Sequence, residues 1–339
     1  MGREAGGRIV EGRRLVTRSA AGFVMLGLLL LLLAWGPAVS GAAAQTPTPG
    51  ASQETFRSSV EAVNLSVSVR DSGGRVVRDL KRADFDILDS GRTTPITDFW
   101  SGDGPISLGI LLDISGSMAV SGNMARARQA VEIALSDLRY GDEAALFTFD
   151  SRLEEVVPFT TDLDRVKRVS LEGEPWGMTS LFDAIAETAR SAAERTNRHR
   201  ALLVITDGVD TGSTRTAPEV SGIASAIDVP VYLLTVVNPV DHPGGEFEVL
   251  DGVGSAATTS ATLADLARWT GGNLRISSVP AHTVEGLNDL FIELRHQYVI
   301  TFEPDVSVGW HPLEIRTRKK SHVVRARSGY MTEPARVGR

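Results

Sequence analysis

Two short runs in this 339-residue chain each carry an apolar stretch onto an aspartate. Leu108-Gly-Ile-Leu-Leu-Asp-Ile-Ser-Gly-Ser-Met118 delivers Asp113 and then two hydroxyls, Ser115 and Ser117; Val204-Ile-Thr-Asp-Gly208 delivers Asp207. If the apolar runs are strands of an open parallel sheet, both carboxylates lie where such sheets bind ligands, outside the carboxyl ends of the strands. An aspartate after a strand also has a simpler use, as a helix cap or a turn former. The common chemistry of the set argues for more. Carboxylates and hydroxyls offer only hard oxygen donors, which suits Mg²⁺, with Mn²⁺ or Ca²⁺ as alternatives. Mg²⁺ prefers octahedral oxygen coordination, keeps several waters and takes one or two protein carboxylates. A site with so little negative charge leaves the ion electrophilic and open to a carboxylate from a partner protein.

The same residues argue against catalysis. A phosphotransferase of the haloacid dehalogenase type needs a second aspartate two residues after the first, and Ser115 stands there. Ser115 and Ser117 lack the G-x-S-x-G elbow of a serine hydrolase, and no Walker glycine loop or H-E-x-x-H pair occurs. The six histidines do not cluster, and His311 and His322 read as surface residues of a terminal β segment. Asp150 and Asp210 read as turn formers and Asp183 as a first-turn helix charge. No catalytic residue is assigned.

Asp113-x-Ser115-x-Ser117 resembles the metal-ion-dependent adhesion site of von Willebrand factor A domains and integrin inserted domains. On that resemblance the family's distal threonine matches Thr179 in Gly177-Met-Thr-Ser-Leu-Phe-Asp183, and its second aspartate matches Asp207. The resemblance implies that Ser115 and Ser117 ligate by hydroxyl, Thr179 directly or through water, and the aspartates mostly through water. It further implies that the strands carrying Asp113 and Asp207 are neighbours. Many relatives have two glycines before the threonine, where this chain has Gly177-Met178, and Ser180 is a competing hydroxyl. The resemblance covers about 104–280. The whole chain, with Asp84-Phe-Asp, Tyr298 and Arg325-Ala-Arg-Ser-Gly-Tyr330, is similar to bacterial secreted proteins described only as related to that family.

The elements that must position this set are legible in the periodicity. Apolar strands at Ile106–Leu112, Ala144–Phe149, Leu202–Thr206, Val229–Val237 and Asn273–Ser277 alternate with helical patterns. Those patterns run through Met124–Leu138, Leu181–Ala192, Leu263–Trp269 and Val284–Leu294. Such alternation predicts an α/β domain over 104–296 with a doubly wound, mostly parallel sheet. Before it, Val63, Leu65, Val67 and Val69 alternate with polar residues, the pattern of a strand with one buried face; after it, Leu313, Ile315 and Thr317 alternate with Glu314, Arg316 and Arg318. The β-rich segments 56–103 and 297–331 are expected to pair as a small flanking β-sandwich, followed by a tail over 332–339. Arg316, Arg318, Lys319, Lys320, Arg325 and Arg327 read as the solvated face of a strand pair. The long loop Asn238–Ser260 is expected to border the ligand surface.

The chain's net charge is −7, and Met1–Ala44 holds five Arg against two Glu, so the remainder is more acidic still, near −10. That balance argues against a nucleic-acid partner. An Arg-rich start, six consecutive Leu within Phe23–Leu33 and Ala42-Ala43-Ala44 mark 1–44 as an export signal or, if uncleaved, an amino-terminal membrane anchor through residues 20–39. The polar linker 45–55 follows. Export to the periplasm, the cell surface or the medium is expected, and the absence of cysteine excludes disulfides and thiol chemistry. The sequence therefore reads as a non-enzymatic, cation-dependent protein-binding module, or else as an envelope subunit braced by its metal.

Overall fold

The computed structural model describes residues 62–169, 171, 173–238, 258–305 and 307–332. The signal or anchor, the linker, most of the loop after Asn238 and the tail beyond 332 lie outside them. Four strands come first: β1 (Val63–Arg70), β2 (Phe85–Asp89), β3 (Arg92–Thr94) and β4 (Ile96–Trp100). Then follow β5 (Ile106–Asp113), a 3-10 segment Gly116–Gly122, α1 (Asn123–Ser136), β6 (Glu143–Phe149), β7 (Leu153–Thr160), α2 (Leu163–Lys167) and α3 (Leu181–Ala193). β8 (His199–Thr206), α4 (Ala217–Ala226), β9 (Val231–Val236), α5 (Thr258–Thr270), β10 (Leu274–Ser277) and α6 (Pro280–Arg295) complete the α/β part. β11 (Tyr298–Phe302), β12 (Gly309–Thr317), β13 (Val323–Arg325) and β14 (Gly329–Thr332) end the described chain.

The central sheet has the order β10-β9-β8-β5-β6-β7, parallel except for the antiparallel edge strand β7. All eight residues of β5 are buried, because helices cover both faces of a central strand and leave no polar side to alternate with. One face packs on α1 and α6 through Met124, Val131, Leu287 and Leu294; the other packs on α3, α4 and α5 through Ile185, Val220 and Leu266. β7, α2 and α4 add to the elements expected from periodicity. The start of α4 carries a sequence signal, since the Thr216 backbone N–H donates to the Glu219 carboxylate at 2.7 Å and Pro218 sits in the first turn.

The flanks do pair. β1 lies antiparallel to β11, with Leu65 opposite Ile300, inside a sheet ordered β13-β1-β11-β4; a second sheet is ordered β14-β12-β2-β3. Leu65, Val67, Phe85, Ile87, Ile300, Phe302 and Tyr330 form the core between the two sheets. Three expectations for these segments are corrected by burial. β1 hides both faces, not one: Ser66 and Ser68 turn to the α/β part, where Ser66 Oγ donates to Asp228 at 3.0 Å and Ser68 Oγ to Glu293 at 3.2 Å. Arg325 and Arg327 leave the solvated set. Arg327 is buried and donates to the carbonyls of Ser225 and Asn64, and Arg325 lies 3.5 Å from the Glu293 carboxylate. Arg316, Arg318, Lys319 and Lys320 are exposed as expected. His311 is buried, stacked on Tyr330 at 4.8 Å with Nε2 2.7 Å from the Ser307 carbonyl. It shares the parity of Leu313 and Ile315 in β12, so alternation itself sends it inward.

His199 opens β8 fully buried, edge-on to Trp100 at 4.9 Å. Burial pushes its imidazole down from 6.5 to about 4. A base whose folded pKa is depressed contributes full stability above its unfolded value and loses it as pH falls, here from about pH 6.5 towards 4. The loss from this ring reaches about 3 kcal/mol by pH 4. Urea midpoints measured from pH 7 to pH 4 are expected to fall less steeply in His199→Phe than in the native protein; parallel curves would show that the ring titrates normally.

Candidate metal centre

β5 and β8 are adjacent, with Leu112 in register with Ile205, so their carboxyl ends bring Asp113 and the Thr206-Asp207 pair together. This is also where the strand order reverses, with β6 on the other side of β5 and its Phe149 carbonyl accepting the Ile114 N–H at 2.9 Å. Asp113 is fully buried. Its Oδ1 accepts the Ser115 backbone N–H at 2.9 Å and its Oδ2 accepts the Thr206 hydroxyl at 2.6 Å. Ser115, also buried, holds its Oγ 3.2 Å from that of half-buried Ser117. Asp207 is half-buried, and its Oδ1 accepts the Val209 N–H at 3.3 Å.

Thr179 reaches this place through its loop. The Gly116 N–H donates to the Gly177 carbonyl at 3.1 Å, the Trp176 N–H to the Ile114 carbonyl at 3.0 Å and the Ser180 N–H to the Asp150 carbonyl at 2.8 Å. The strands of chain at 116 and 177 lie so close that a Cβ on Gly116 would stand 3.3 Å from the Gly177 oxygen, and Gly177 itself takes φ +90°, which favours glycine. Thr179 is buried; its N–H donates to Thr211 Oγ1 at 2.9 Å, and its carbonyl accepts the N–H groups of Thr211 and Gly212.

Burial drives the Asp113 carboxyl up from 3.8 to about 6, with the charge of Asp207 adding to the rise and the hydrogen bonds from Ser115 and Thr206 opposing it. Among the described residues no arginine or lysine forms an ion pair with Asp113 or Asp207. A buried carboxylate without a counter-charge is costly, and a cation would supply what the protein does not. The donors present are oxygens, and no group of three or more His, Cys, Asp or Glu is placed to hold a metal ion among the described residues. That composition fits a hard cation completing its shell with water and hydroxyls, and does not fit a zinc site.

The neighbouring aspartates have structural work. Asp150 Oδ1 accepts the Arg152 N–H at 2.8 Å, the expected turn. Asp210 does more than turn: its Oδ1 accepts the Leu181 N–H at 2.9 Å, capping α3 from another loop, and also takes the Ser213 hydroxyl at 2.6 Å. Asp183, in the first turn of α3, accepts the N–H groups of Thr214 and Arg215 at 2.8 and 3.1 Å. Sequence reasoning missed Thr206 and Thr211. The signal for Thr206 was its position, a hydroxyl at the end of β8 directly before Asp207.

Residues 108–209 match the family model of the von Willebrand factor type A domain, a span that starts within β5 and ends just past Asp207. No curated protein matches the chain. Among solved structures it is similar to an aerotolerance-related membrane protein from Bacteroides fragilis, at 20% identity over 55% of this chain and 98% of that one, TM-score 0.42. It is also similar to BatB from Bacteroides thetaiotaomicron, at 19% identity over 54% of this chain and 96% of that one, TM-score 0.42. A von Willebrand factor type A protein from Catenulispora acidiphila aligns at 12% identity over 80% of this chain and 73% of that one, TM-score 0.44.

Proposed function

The chain carries a von Willebrand factor type A domain, and we propose that Asp113, Ser115, Ser117, Thr179 and Asp207 hold a divalent cation that binds a carboxylate of a partner protein. The observation that carries this reading is Asp113, a fully buried carboxylate with no cationic partner among the described residues, whose neighbours at the strand ends are hydroxyls and one more carboxylate. Mg²⁺ is the first choice for such a donor set, ahead of Mn²⁺ and Ca²⁺. In this reading Ser115 and Ser117 ligate by hydroxyl, Thr179 directly or through water, and the aspartates through water. With neutral hydroxyls as the direct ligands and both carboxylates held off through water, little of the charge of the ion is offset at contact distance, and the cation keeps its attraction for an anionic ligand. The protein acts by binding and not by catalysis: the position two residues after Asp113 is Ser115, where a phosphotransferase would place its acid. The Arg-rich start and Leu-rich run of residues 1–44 support export to the cell envelope or beyond. No helix among the described residues is long and apolar enough to cross a membrane.

Affinity capture from envelope extracts, with and without divalent metal, tests the reading. A partner is expected to be retained in Mg²⁺ or Mn²⁺, released by chelator, and lost in folded Asp113→Ala. A partner retained equally in chelator would leave the metal with a bracing role only.

A further inference from the structure

Eleven large apolar side chains stand exposed among the described residues, and four of them, Val120, Trp176, Met178 and Val209, fall within three residues of Ser117, Thr179 or Asp207. That concentration is the starting point, because scattered exposed apolar residues need no explanation whereas a group around a polar centre marks an interaction surface. Trp176 is 81% exposed and Met178 55%. Their backbone is nevertheless held on both sides. Trp176 donates its N–H to the Ile114 carbonyl, the Gly177 carbonyl accepts from Gly116, and beyond Met178 the N–H groups of Thr179 and Ser180 donate to Thr211 and to Asp150. On the side of Asp207, the hydrogen bonds from Thr211 and Gly212 to the Thr179 carbonyl tie in the loop that bears Val209. A Cβ on Gly212 would touch Met178. The chain thus presents a tryptophan and a methionine to solvent on a backbone that has little freedom left to lose. Binding anchors have that character: large, apolar, preorganised, and in the case of tryptophan strongly enriched among residues that dominate interface energy.

We propose that Trp176 and Met178, with Val120 and Val209 completing the rim, select the partner: a protein segment in which the carboxylate is flanked by large apolar or aromatic side chains. The inference rests on the cation reading for the carboxylate, and adds the chemistry of its neighbours. The rim is continuous with that site, since each of its residues lies in a loop that also carries a site residue. Burial of the flanking side chains against the rim excludes water from around the carboxylate, which strengthens its attraction to the cation.

Two fluorescent peptides with one central Glu, flanked either by Trp and Leu or by Ser and Gly, test this on the full chain by anisotropy in Mg²⁺. The native protein is expected to bind the apolar-flanked peptide about 30-fold tighter. In the double variant Trp176→Ser, Met178→Ser that preference should fall to about threefold or less, while Trp176→Phe keeps most of it. Equal affinity of the native protein for both peptides overturns the proposal and leaves the cation reading standing. So does a preference that survives in the double variant. An apolar preference that persists in chelator, in Asp113→Ala and with Gln replacing the peptide Glu overturns both, since the rim would then be a plain apolar patch; failure to bind either peptide does the same. Light scattering covers the remaining occupant. Self-association that disappears in the double variant would assign the rim to a second copy of this chain and overturn the proposal.

Discussion

Asp113→Asn is expected to make the metal-free protein more stable at neutral pH, and to show none of the rise in melting temperature expected of the native protein in Mg²⁺. The native carboxyl is fully buried, and burial lifts it from 3.8 to about 6. An acid raised in this way stabilises the fold fully below its unfolded value, and that contribution is lost as pH climbs through the folded one. The window here runs from about pH 4 to pH 6. Ionising Asp113 in the folded protein therefore costs about 3 kcal/mol by pH 7. Asparagine carries no such charge and can still accept the Ser115 N–H, but its amide must replace the acceptor that now takes the Thr206 hydroxyl at 2.6 Å. A net gain of about 1–2 kcal/mol follows, or a few degrees in melting temperature. Melts in chelator should show this gain at pH 7.5 and almost none near pH 4. A saturating cation at about 100 times its dissociation constant would add about 2.7 kcal/mol to the native protein and nothing to the variant. An asparagine variant less stable than the native protein at pH 7.5 in chelator would refute the idea that the site carries an uncompensated charge.

The second large effect lies at the other end of the α/β part. Glu293, on α6, is 1% exposed and accepts hydrogen bonds from Ser68, from Arg70 Nε and Nη2 at 2.9 and 2.7 Å, and from the Tyr232 hydroxyl. Arg325 of β13 stands 3.5 Å away. Two arginines and a serine of the flanking sheet thus converge on one carboxylate of the central domain. Removing it leaves buried Arg70 with only Asp289 at 3.6 Å and takes the counter-charge from half-buried Arg325, a loss expected to reach about 3 kcal/mol in Glu293→Ala. Replacing both members of the main pair, as in Arg70→Met with Glu293→Met, should recover much of it, because the cost belongs to the charge left behind and not to the absence of a salt bridge. Denaturant titration of the three proteins decides the matter. A loss below about 1 kcal/mol in Glu293→Ala would mean that apolar packing, not this cluster, joins the flanks to the α/β part.

Period and spacing were enough to read most of the α/β part, with β7, α2 and α4 left to the structure. Strands buried on both faces must be continuously apolar, and Ile106–Leu112 and Leu202–Thr206 announce themselves that way; the helices show apolar residues at three- and four-residue spacing because only one stripe meets the sheet. The pairing of the two flanks was legible for a similar reason, since short alternating strands cannot stay alone with one apolar face in water. The candidate site was half legible. Asp113, Ser115, Ser117 and Asp207 lie within two local runs, so the backbone that carries them also brings them to strand ends. Thr179 came from resemblance, and the bonds that hold its loop against the end of β5 join residues some sixty positions apart, Gly116 to Gly177 and Trp176 to Ile114.

What composition and period could not decide was the direction of polar groups at the junction of the two parts. A basic residue alternating with apolar ones reads as solvated, yet Arg327 is buried beside Asp228 and Arg325 faces Glu293, because carboxylates distant in sequence wait for them there. Likewise Ser66, Ser68 and Arg70 read as the wet side of β1, and are covered because a second surface packs on that side. Local sequence determines how a strand alternates; only the tertiary structure decides how many of its faces are buried and which charges meet across them. The same division holds at the candidate site, where the sequence by itself determined a set of oxygen-bearing side chains, and the fold decided that Asp113 would be sealed from water with Thr206 against it and no ion-pair partner among the described residues.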